Sequence, residues 1–286
     1  MRIVAEHPDL RRQYEQIVAS QKRFGFFSQI WVQDALHPNW VYVLNDQHQI
    51  LLRLPVVRKF GLKAYLQPLF IRDLDLLADL SAAQCNDLTT FLRRRSFLHL
   101  NISINNNELR GGQTGKFQKL ELSRDIDLLR AGYSENVKRS LKKAKDLQLQ
   151  EISFSDFQSF FIKQKGEDLG NLNAAAWLRL EKLAAAASKK DSFYCCGTYA
   201  QKELLAVGLF FKWKKQLYFM KGTLNDQGKK CGALVFLIDA VLEKHVPSFE
   251  ALDFIGSNQE SIAAFYKKFG AIDHRYMIIK GRVPFV

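Results

Sequence analysis

The stretch that decides the fold is Gln216–Ala271, which reads QLYFMKGTLNDQGKKCGALVFLIDAVLEKHVPSFEALDFIGSNQESIAAFYKKFGA. Apolar residues alternate in its short runs and recur at helical spacing in its longer ones, so strands and helices follow each other. The prediction is, in chain order, a strand, a loop, a helix, a strand and a helix, over Leu217–Met220, Gly222–Cys231, Gly232–His245, Ala251–Ile255 and Ser257–Phe269.

The loop of this stretch has the composition of an anion site. Unpaired backbone N–H groups at a helix N-terminus, together with the helix dipole, suit an anion such as a pyrophosphate. Lys229 and Lys230 add positive charge, and Gly228 and Gly232 permit close backbone approach. An ordinary β–α turn with solvated lysines explains the same residues, and short glycine-bearing motifs match by chance.

Composition limits the class of protein and the number of domains. The chain has 286 residues and is 47% hydrophobic, which is enough for substantial cores and favours two domains. No apolar run approaches the roughly 18 residues that span a bilayer, and the charged N-terminus lacks the apolar region of a secretory signal. The four cysteines show neither C-x-x-C nor zinc spacing, so we expect free thiols in a cytoplasmic protein.

The chain is strongly basic. Its formal net charge is +13, with a sequence pI near 9.5. Such a surface attracts polyanions, including nucleic acid, nucleotide-linked substrates and anionic headgroups, although solubility alone also explains it.

The N-terminal part predicts a layered α+β arrangement. Helices are expected over 8–24, 24–36 and 81–94, and a hairpin pairs Trp40–Leu44 with Gln49–Val57 around Asn45–Gln47. Further short strands are expected over 64–69, 97–104 and 116–122. The segment Ser123–Asp125 predicts a boundary between domains 1–124 and 125–286.

A basic helix follows this boundary. Ser134 can cap its N-terminus, and Val137, Leu141 and Ala144 form its buried stripe. Carboxylates that would pair at i+4 are nearly absent. The exposed face is either a phosphate-binding surface or a solvated helix face, and its basic residues are Lys138, Arg139, Lys142, Lys143 and Lys145.

The decisive stretch resembles the core of the GNAT acyltransferase superfamily. Its pyrophosphate loop is written Gln/Arg-x-x-Gly-x-Gly/Ala, and Gln227 and Gly232 fit while Lys230 stands at the first glycine. The run from Tyr266 to Ala271 resembles the superfamily's Tyr-x-x-x-Gly-Phe, with the usual asparagine one residue out of register at Asn258. The resemblance implies acyl-CoA as co-substrate, bound by Gln227, Gly228, Lys229, Lys230, Cys231, Gly232, Ala233 and Asn258.

Two further features resemble Fem-type aminoacyl transferases. The run Asp253-Phe254-Ile255-Gly256, followed by Phe265 to Gly270, is similar to their Asp-Phe-x-Gly and Phe-Lys-x-x-Phe-Gly pattern, and the basic helix is similar to the one that opens their second domain. The resemblance implies two tandem GNAT-like domains, each a mixed, mostly antiparallel sheet flanked by helices. The first, which lacks a loop like 222–232, is expected to have lost cofactor binding.

The resemblance also assigns chemistry. Amine attack on a thioester needs orientation, a base and donors for the developing oxyanion. Asp253 is a candidate base or a structural carboxylate, and Tyr266 is a candidate general acid or a core tyrosine. No metal site is expected. The predicted function is N-acyl transfer from acyl-CoA to a small-molecule or nucleotide-linked amine, with substrate phosphate contacts from Lys138, Arg139, Lys142 and Lys143.

Two alternatives stay open. One is Fem-like aminoacyl transfer from charged tRNA to a cell-envelope precursor, which the net charge favours. The long coiled-coil arm that such enzymes often carry does not fit between Gln158 and Asp191, which argues against it. The other alternative is a GNAT fold that binds an anionic ligand without catalysis, which Lys230 supports.

Overall fold

The computed structural model describes residues 1–59, 61–96, 99–106, 109, 112–166, 172–256 and 258–282. The chain folds as two compact units, one formed by residues 1–116 with the stretch from Arg275 onward, the other by Phe117–His274. The boundary predicted at residue 124 stays a prediction, because these units are defined by contacts and not by independent folding. Among the described residues, no helix combines the length and the apolar character needed to cross a bilayer.

The first unit contains two sheets. Its elements are β1 Arg2–Ala5, α1 Pro8–Ser20, α2 Ile30–Leu36, β2 Trp40–Leu44, β3 Ile50–Pro55, β4 Val57–Lys59, β5 Leu62–Leu66, β6 Leu74–Asp75, α3 Ala82–Arg95, β7 His99–Asn105, the first residues of β8 Gln113–Glu121 and most of β14 Ile272–Arg282. A short 3-10 helix covers Phe26–Ser28. β1, β2 and β3 form an antiparallel sheet, while β4, β5, β7 and β14 lie side by side in the second, with β6 also pairing with β7.

The predicted hairpin of this unit is confirmed. β2 and β3 pair antiparallel, and the side chain of Asn45 accepts the backbone N–H of Gln47 at 3.0 Å and that of Gln49 at 2.9 Å. An asparagine side chain that bonds its own turn holds the chain reversal locally. The helix expected over 8–24 ends earlier, at Ser20.

One buried cation, Arg53, joins several side chains at the sheet of β1, β2 and β3. Arg53 on β3 is 1% exposed and donates to Gln33 Oε1 at 2.7 Å, to Glu6 Oε1 at 2.8 Å and to Asp34 Oδ1 at 2.7 Å. Its guanidinium also lies 4.7 Å from the ring centroid of Trp40. Planar, hydrogen-bonded guanidinium groups are the cations that proteins bury at least cost.

The second unit contains the stretch Gln216–Ala271. Its elements are α4 Ile126–Ala131, α5 Glu135–Lys143, β9 Leu147–Glu151, α6 Phe154–Lys165, α7 Ala174–Ser188, β10 Phe193–Ala200, β11 Glu203–Trp213, β12 Gln216–Leu224, α8 Asp226–Cys231, α9 Ala233–His245, β13 Ala251–Asp253 and α10 Glu260–Lys267. Its strands lie in the order β8, β13, β12, β11, β10, β9; β12 and β13 pair parallel, and the other described neighbours pair antiparallel. The predicted fold class, mixed and mostly antiparallel sheets flanked by helices, is confirmed.

The core of the second unit lies between its sheet and α9. Leu237, Ile238, Val241 and Leu242 of α9 are fully buried against β10, β11 and β12. Burying each such side chain contributes about 1.5–3 kcal/mol. The connection from β12 through α9 to β13 therefore holds the parallel strand pair in place.

The predicted basic helix is α5. Ser134 caps it by accepting the backbone N–H of Val137, and Val137 and Ala144 are buried as the stripe requires. Leu141 is partly buried against the same core. The lysines and the arginine of α5 therefore lie on its outer faces.

Candidate functional site

The parallel strands β12 and β13 separate after a short pairing. Register joins Gln216 to Ala251 and Tyr218 to Asp253, and β12 then continues to Leu224 without pairing further with β13 in the described residues. β12 also carries a register irregularity opposite Leu209 and Phe210, and such bulges bend a strand. We call residues 219–224 of β12, with residues 254–256 after β13, the fork.

Asp253 ends β13 at the fork. It is 3% exposed, and its Oδ1 accepts the backbone N–H of Ile255 at 2.7 Å. Ile255 has a φ of +62°, a strained value for a β-branched residue, and the N–H of Phe254 bonds Gln118 O at 3.0 Å. The carboxylate therefore helps to turn the chain away from β12, and its role as a base stays a prediction.

Tyr266 of α10 lies at the fork as well. Its ring stacks on Phe254 with centroids 4.1 Å apart and meets Phe219 edge-on at 6.3 Å. Burial raises the pKa of Tyr266 to about 12, and no described residue hydrogen-bonds its hydroxyl. The structure thus brings both predicted catalytic side chains, Asp253 and Tyr266, to the end of the same strand pair.

The loop predicted over 222–231 is wrong in its secondary structure. β12 runs through Gly222 to Leu224, and α8 forms directly after Asn225. The side chain of Asn225 accepts the N–H of Gly228 at 2.7 Å, which is the capping contact that starts a helix. The amide of Gly228 is therefore occupied by the protein itself.

Gly228 allows α8 to pack closely against the sheet. A Cβ at this position would lie 2.5 Å from the carbonyl oxygen of Leu205 on β11. Only glycine lets the backbone of α8 come this close to the strand. Of the predicted loop residues, Gln227, Lys229 and Lys230 are exposed on α8, and Cys231 is partly buried with its thiol near Gly228 O.

The N-terminus of α9 is open to a ligand because no described side chain caps it. Gly232, with a φ of +76°, joins α8 to α9, and no side chain among the described residues caps α9. A Cβ on Gly232 would lie 3.1 Å from the Cβ of Ser140 on α5. The basic helix therefore packs beside the N-terminus of α9, where its charge adds to the helix dipole.

The predicted phosphate contacts on α5 differ in their availability. Lys138 donates to Glu135 at 3.3 Å and to Ala131 O at 3.1 Å, so it already has local partners. Arg139 donates to the side chain of Asn136. Lys142 and Lys143 are exposed and form no ion pair within the described residues. The two lysines in the last turn are therefore the stronger candidates for a ligand contact.

Two other predicted residues lie apart from this cluster. Asn258 is exposed in the bend before α10, and Ser257 lies outside the described residues. Gln227 lines an open surface cavity of about 610 Å³ together with Asp146, Ala200, Gln201, Lys202 and Glu203. The mixed charge of this lining does not single out an anion.

Sequence reasoning missed Lys221, which lies on β12 within the fork. It is only partly exposed, and burial lowers its pKa. The signal was present, because Lys221 interrupts the apolar run of β12 two residues before Thr223, but a single lysine near a strand end is common.

Comparison with solved structures identifies the fold. FemX aligns with a TM-score of 0.64 at 10% identity, over 99% of this chain and 98% of that chain. A tandem GNAT protein from the clavulanic acid biosynthesis pathway aligns at 0.56 and 12%, over 98% of both. The C-terminal domain (DUF2156) of a putative lysylphosphatidylglycerol synthetase from Agrobacterium fabrum aligns at 0.51 and 12%, over 94% of this chain and 90% of that chain.

These identities show the fold alone: the chain shares its fold with FemX and with the tandem GNAT protein, as the motifs predict. The chain matches no protein-family model and no curated protein sequence.

Proposed function

We propose that this chain, which has the fold of tandem GNAT and Fem-like proteins, transfers an acyl group from acyl-CoA to an amine in the cytoplasm. The observation that carries the proposal is the fork. Beyond Tyr218, the edge of β12 that faced β13 has no strand partner among the described residues, so the backbone N–H groups on that edge are available to a bound acyl carbonyl. Fixed N–H donors aimed at a developing oxyanion supply one of the largest contributions in acyl transfer.

The chemistry assigns roles around this edge. The amine nitrogen forms a bond to the acyl carbon, the carbon–sulfur bond breaks, and the leaving thiolate takes a proton. Tyr266 can donate that proton, since with a pKa of about 12 its hydroxyl is protonated at neutral pH. The ammonium of the amine must lose a proton first, and Asp253 is the proposed acceptor.

The start of α9 is the proposed position of the donor's pyrophosphate. Because Asn225 occupies the N–H of Gly228, and Gly228 O accepts the N–H of Gly232, the proposed phosphate contacts shift to the first turn of α9, which starts at Ala233. Lys229 and Lys230, at the end of α8, add positive charge nearby. An anion at this helix end gains from both the dipole and the lysines.

A second candidate, aminoacyl transfer from charged tRNA, is favoured by the position of α5. Its exposed Lys142 and Lys143 belong to the helix that packs beside Gly232, so the basic surface is larger than one pyrophosphate needs. FemX is also among the similar folds. A third candidate is a non-catalytic anion binder, which Lys230 at the motif's glycine position supports.

Binding of acetyl-CoA tests the donor. We expect acetyl-CoA to raise the melting temperature of the protein, since a ligand that binds only the native state stabilises it. Gly232→Asp places a carboxylate at the start of α9 and is expected to weaken binding about tenfold. Gly61→Asp is the matched control, because Gly61 also has a positive φ, +77°, and a Cβ there meets nothing within 4 Å.

If Gly232→Asp folds poorly, Lys230→Glu tests the same charge from an exposed position. Unchanged acetyl-CoA affinity in both variants would reject the donor site. Stabilisation by aminoacyl-tRNA, with an affinity that falls steeply with salt, would favour the second candidate. Lys142→Gln and Lys143→Gln should then each lower the salt slope by about one.

The catalytic assignment is tested by Tyr266→Phe, which keeps the stack on Phe254 and removes only the hydroxyl. We expect the transfer rate to fall by about 10²-fold or more while the melting temperature is nearly unchanged. Tyr194→Phe is the control, since burial also raises the pKa of Tyr194 to about 12 but its ring contacts Phe210 and His245. Equal rates in both variants would reject Tyr266 as the acid.

A further inference from the structure

Strand β12 carries two polar side chains that no described residue satisfies. Thr223 is 2% exposed, and its hydroxyl has no hydrogen-bond partner among the described residues. Lys221, two residues earlier, forms no hydrogen bond and no ion pair with the described residues, and the only cause of its lowered pKa is burial. Both lie in the part of β12 that has left β13, so they belong to the fork.

The two side chains lie on the same face of the sheet. Residues at i and i+2 of a strand point to one face, and directly paired residues of neighbouring strands share it. Register places Lys221 opposite Leu209, and Leu209 opposite Cys195. Burial, and then the nearby carboxylate of Asp156 on α6, raises the pKa of Cys195. The row that contains Lys221 therefore runs under α6.

The other face of the sheet belongs to α9. Thr198 donates its hydroxyl to Ala233 O at 3.3 Å, which fixes the α9 side. Thr198 lies opposite Ala206, and Ala206 lies opposite Leu224. Leu224 follows Thr223 directly, so Thr223 points to the α6 side. Lys221 and Thr223 thus face away from α9, at whose start the donor phosphates are proposed.

Three other shielded cations among the described residues are neutralised by acids. Arg53 pairs with Glu6 and Asp34, Arg72 pairs with Asp73 at 2.7 Å, and Arg130 pairs with Asp239 at 2.7 Å. The acid within α6 is Asp156, and it hydrogen-bonds Ser153 in the capping box of that helix. Lys221 therefore stands out as a shielded ammonium with no counter-charge in the described chain.

We propose that Lys221 and Thr223 bind a carboxylate of the amine substrate, which enters the fork from the side of α6. The inference rests on the proposed function, because it assumes that an amine reaches the fork. An ammonium and a hydroxyl two residues apart on one strand offer a carboxylate a charged donor and a neutral donor. The substrate class is then an amino acid, or an amine with a carboxylate near its nitrogen.

Acetate and acetamide probe this site without any turnover. The lysines are reductively methylated with a ¹³C label, and the NMR signal of Lys221 is assigned by its loss in Lys221→Arg. We expect acetate to shift this signal saturably and to raise its titration midpoint, because a bound anion favours the charged amine. Acetamide, with the same shape and no charge, should leave it in place.

Two variants and one further signal serve as controls. Thr223→Val removes one hydrogen bond and should weaken acetate binding about fivefold to tenfold. Thr198→Val removes a hydroxyl from the α9 face and should leave acetate binding unchanged. The signal of Lys215, which is exposed on the turn between β11 and β12, reports any general effect of salt. A Lys221 signal that ignores acetate, or that responds equally to acetamide, overturns the proposal.

Competition decides where the carboxylate comes from. Displacement of acetate by glycine but not by glycinamide supports a carboxylate on the amine. Displacement by succinyl-CoA and not by any amino acid overturns the assignment to the amine, because the carboxylate then belongs to the acyl group. If acetyl-CoA neither binds nor reacts while acetate still shifts Lys221, the proposed function fails and the carboxylate site stands.

Discussion

Arg53 in the first unit and Lys221 in the second are two shielded cations with opposite surroundings. Arg53 has three side-chain oxygens within 2.8 Å and an aromatic ring beside it. Lys221 has no acid and no acceptor among the described residues, and burial lowers its pKa. Both lie on strands, so the strand itself does not explain the difference.

The difference separates a structural cation from one that is available to a ligand. A shielded charge is costly unless it is paired and hydrogen-bonded. Arg53 meets that condition within its own sheet, so removing it should destabilise the protein. Lys221 does not meet it, so removing it should relieve a cost. We therefore expect removal of Arg53 and removal of Lys221 to change the free energy of unfolding in opposite directions.

The largest effect is expected for Arg53→Met, which removes the buried one of the two arginines that pair with Glu6 and Asp34. The free energy of unfolding should fall by about 3–5 kcal/mol, as when one partner of a buried pair is removed. Arg11→Met is the matched control, because Arg11 pairs with the same two acids but its side chain is 37% exposed. That variant should lose less than about 1 kcal/mol in urea denaturation. Equal losses of unfolding free energy in the two variants would show that Arg53 stabilises the fold no more than the exposed Arg11 does.

Lys221→Met should act in the other direction. It keeps a long, flexible side chain and removes the uncompensated charge, so stability at neutral pH should be unchanged or rise by about 1 kcal/mol. Burial lowers the pKa of Lys221 in the folded state, so between that lowered pKa and 10.5 the unfolded chain binds more protons. In this window the contribution of Lys221 to stability rises with pH. The variant should lose this rise. A clear loss of stability in Lys221→Met at neutral pH would show that Lys221 has a structural partner.

His245, near the end of α9, extends the comparison to acid pH. Its Nε2 is buried with no hydrogen-bond partner among the described residues, and its pKa is lowered to about 4, first by burial and then by Lys244. The unfolded chain therefore binds more protons between pH 6.5 and pH 4, so stability falls as the pH drops through that window. His245→Phe keeps the contacts with Tyr194 and Phe249 and should flatten the fall in urea midpoint. An unchanged slope would mean that His245 is solvated.

The smallest effects on stability are expected from removing the hydroxyl groups of Thr198 and Thr223. Thr198 donates to Ala233 O, whereas Thr223 has no partner in the described chain. Thr198→Val should cost about 1 kcal/mol, and Thr223→Val should cost nothing or stabilise slightly. The two melting temperatures measure this directly. A cost at Thr223 equal to that at Thr198 would indicate a hydrogen bond that satisfies Thr223.

Motifs and periodicity predicted much of the fold correctly. The apolar alternation around Asn45 set the hairpin, and Ser134 with its apolar stripe set α5, because both signals act within a few residues. The resemblance carried by the motifs of the decisive stretch implied the tandem GNAT fold. Asp253 ends β13 and Tyr266 packs on the neighbouring Phe254, and the catalytic roles of both residues stay predictions.

The prediction of a loop over 222–231 was wrong for a physical reason. Its glycines suggested an exposed turn, but Gly222 pairs with Gly208 inside the sheet, and Gly228 lies against the backbone of β11. A glycine that permits close packing and a glycine that permits a turn look alike in sequence. Only the neighbouring strand decides between them.

The amino-acid sequence by itself determined the order of strands and helices, the basic face of α5 and the motifs of the decisive stretch, because these depend on residues a few positions apart. Tertiary structure decided where β12 parts from β13, which amides near α8 are occupied, and that no described acid pairs with Lys221. Those features depend on which distant residues fill the space around a side chain. Burial and partnership are properties of the packed chain, and they turned an ordinary lysine into a candidate binding residue.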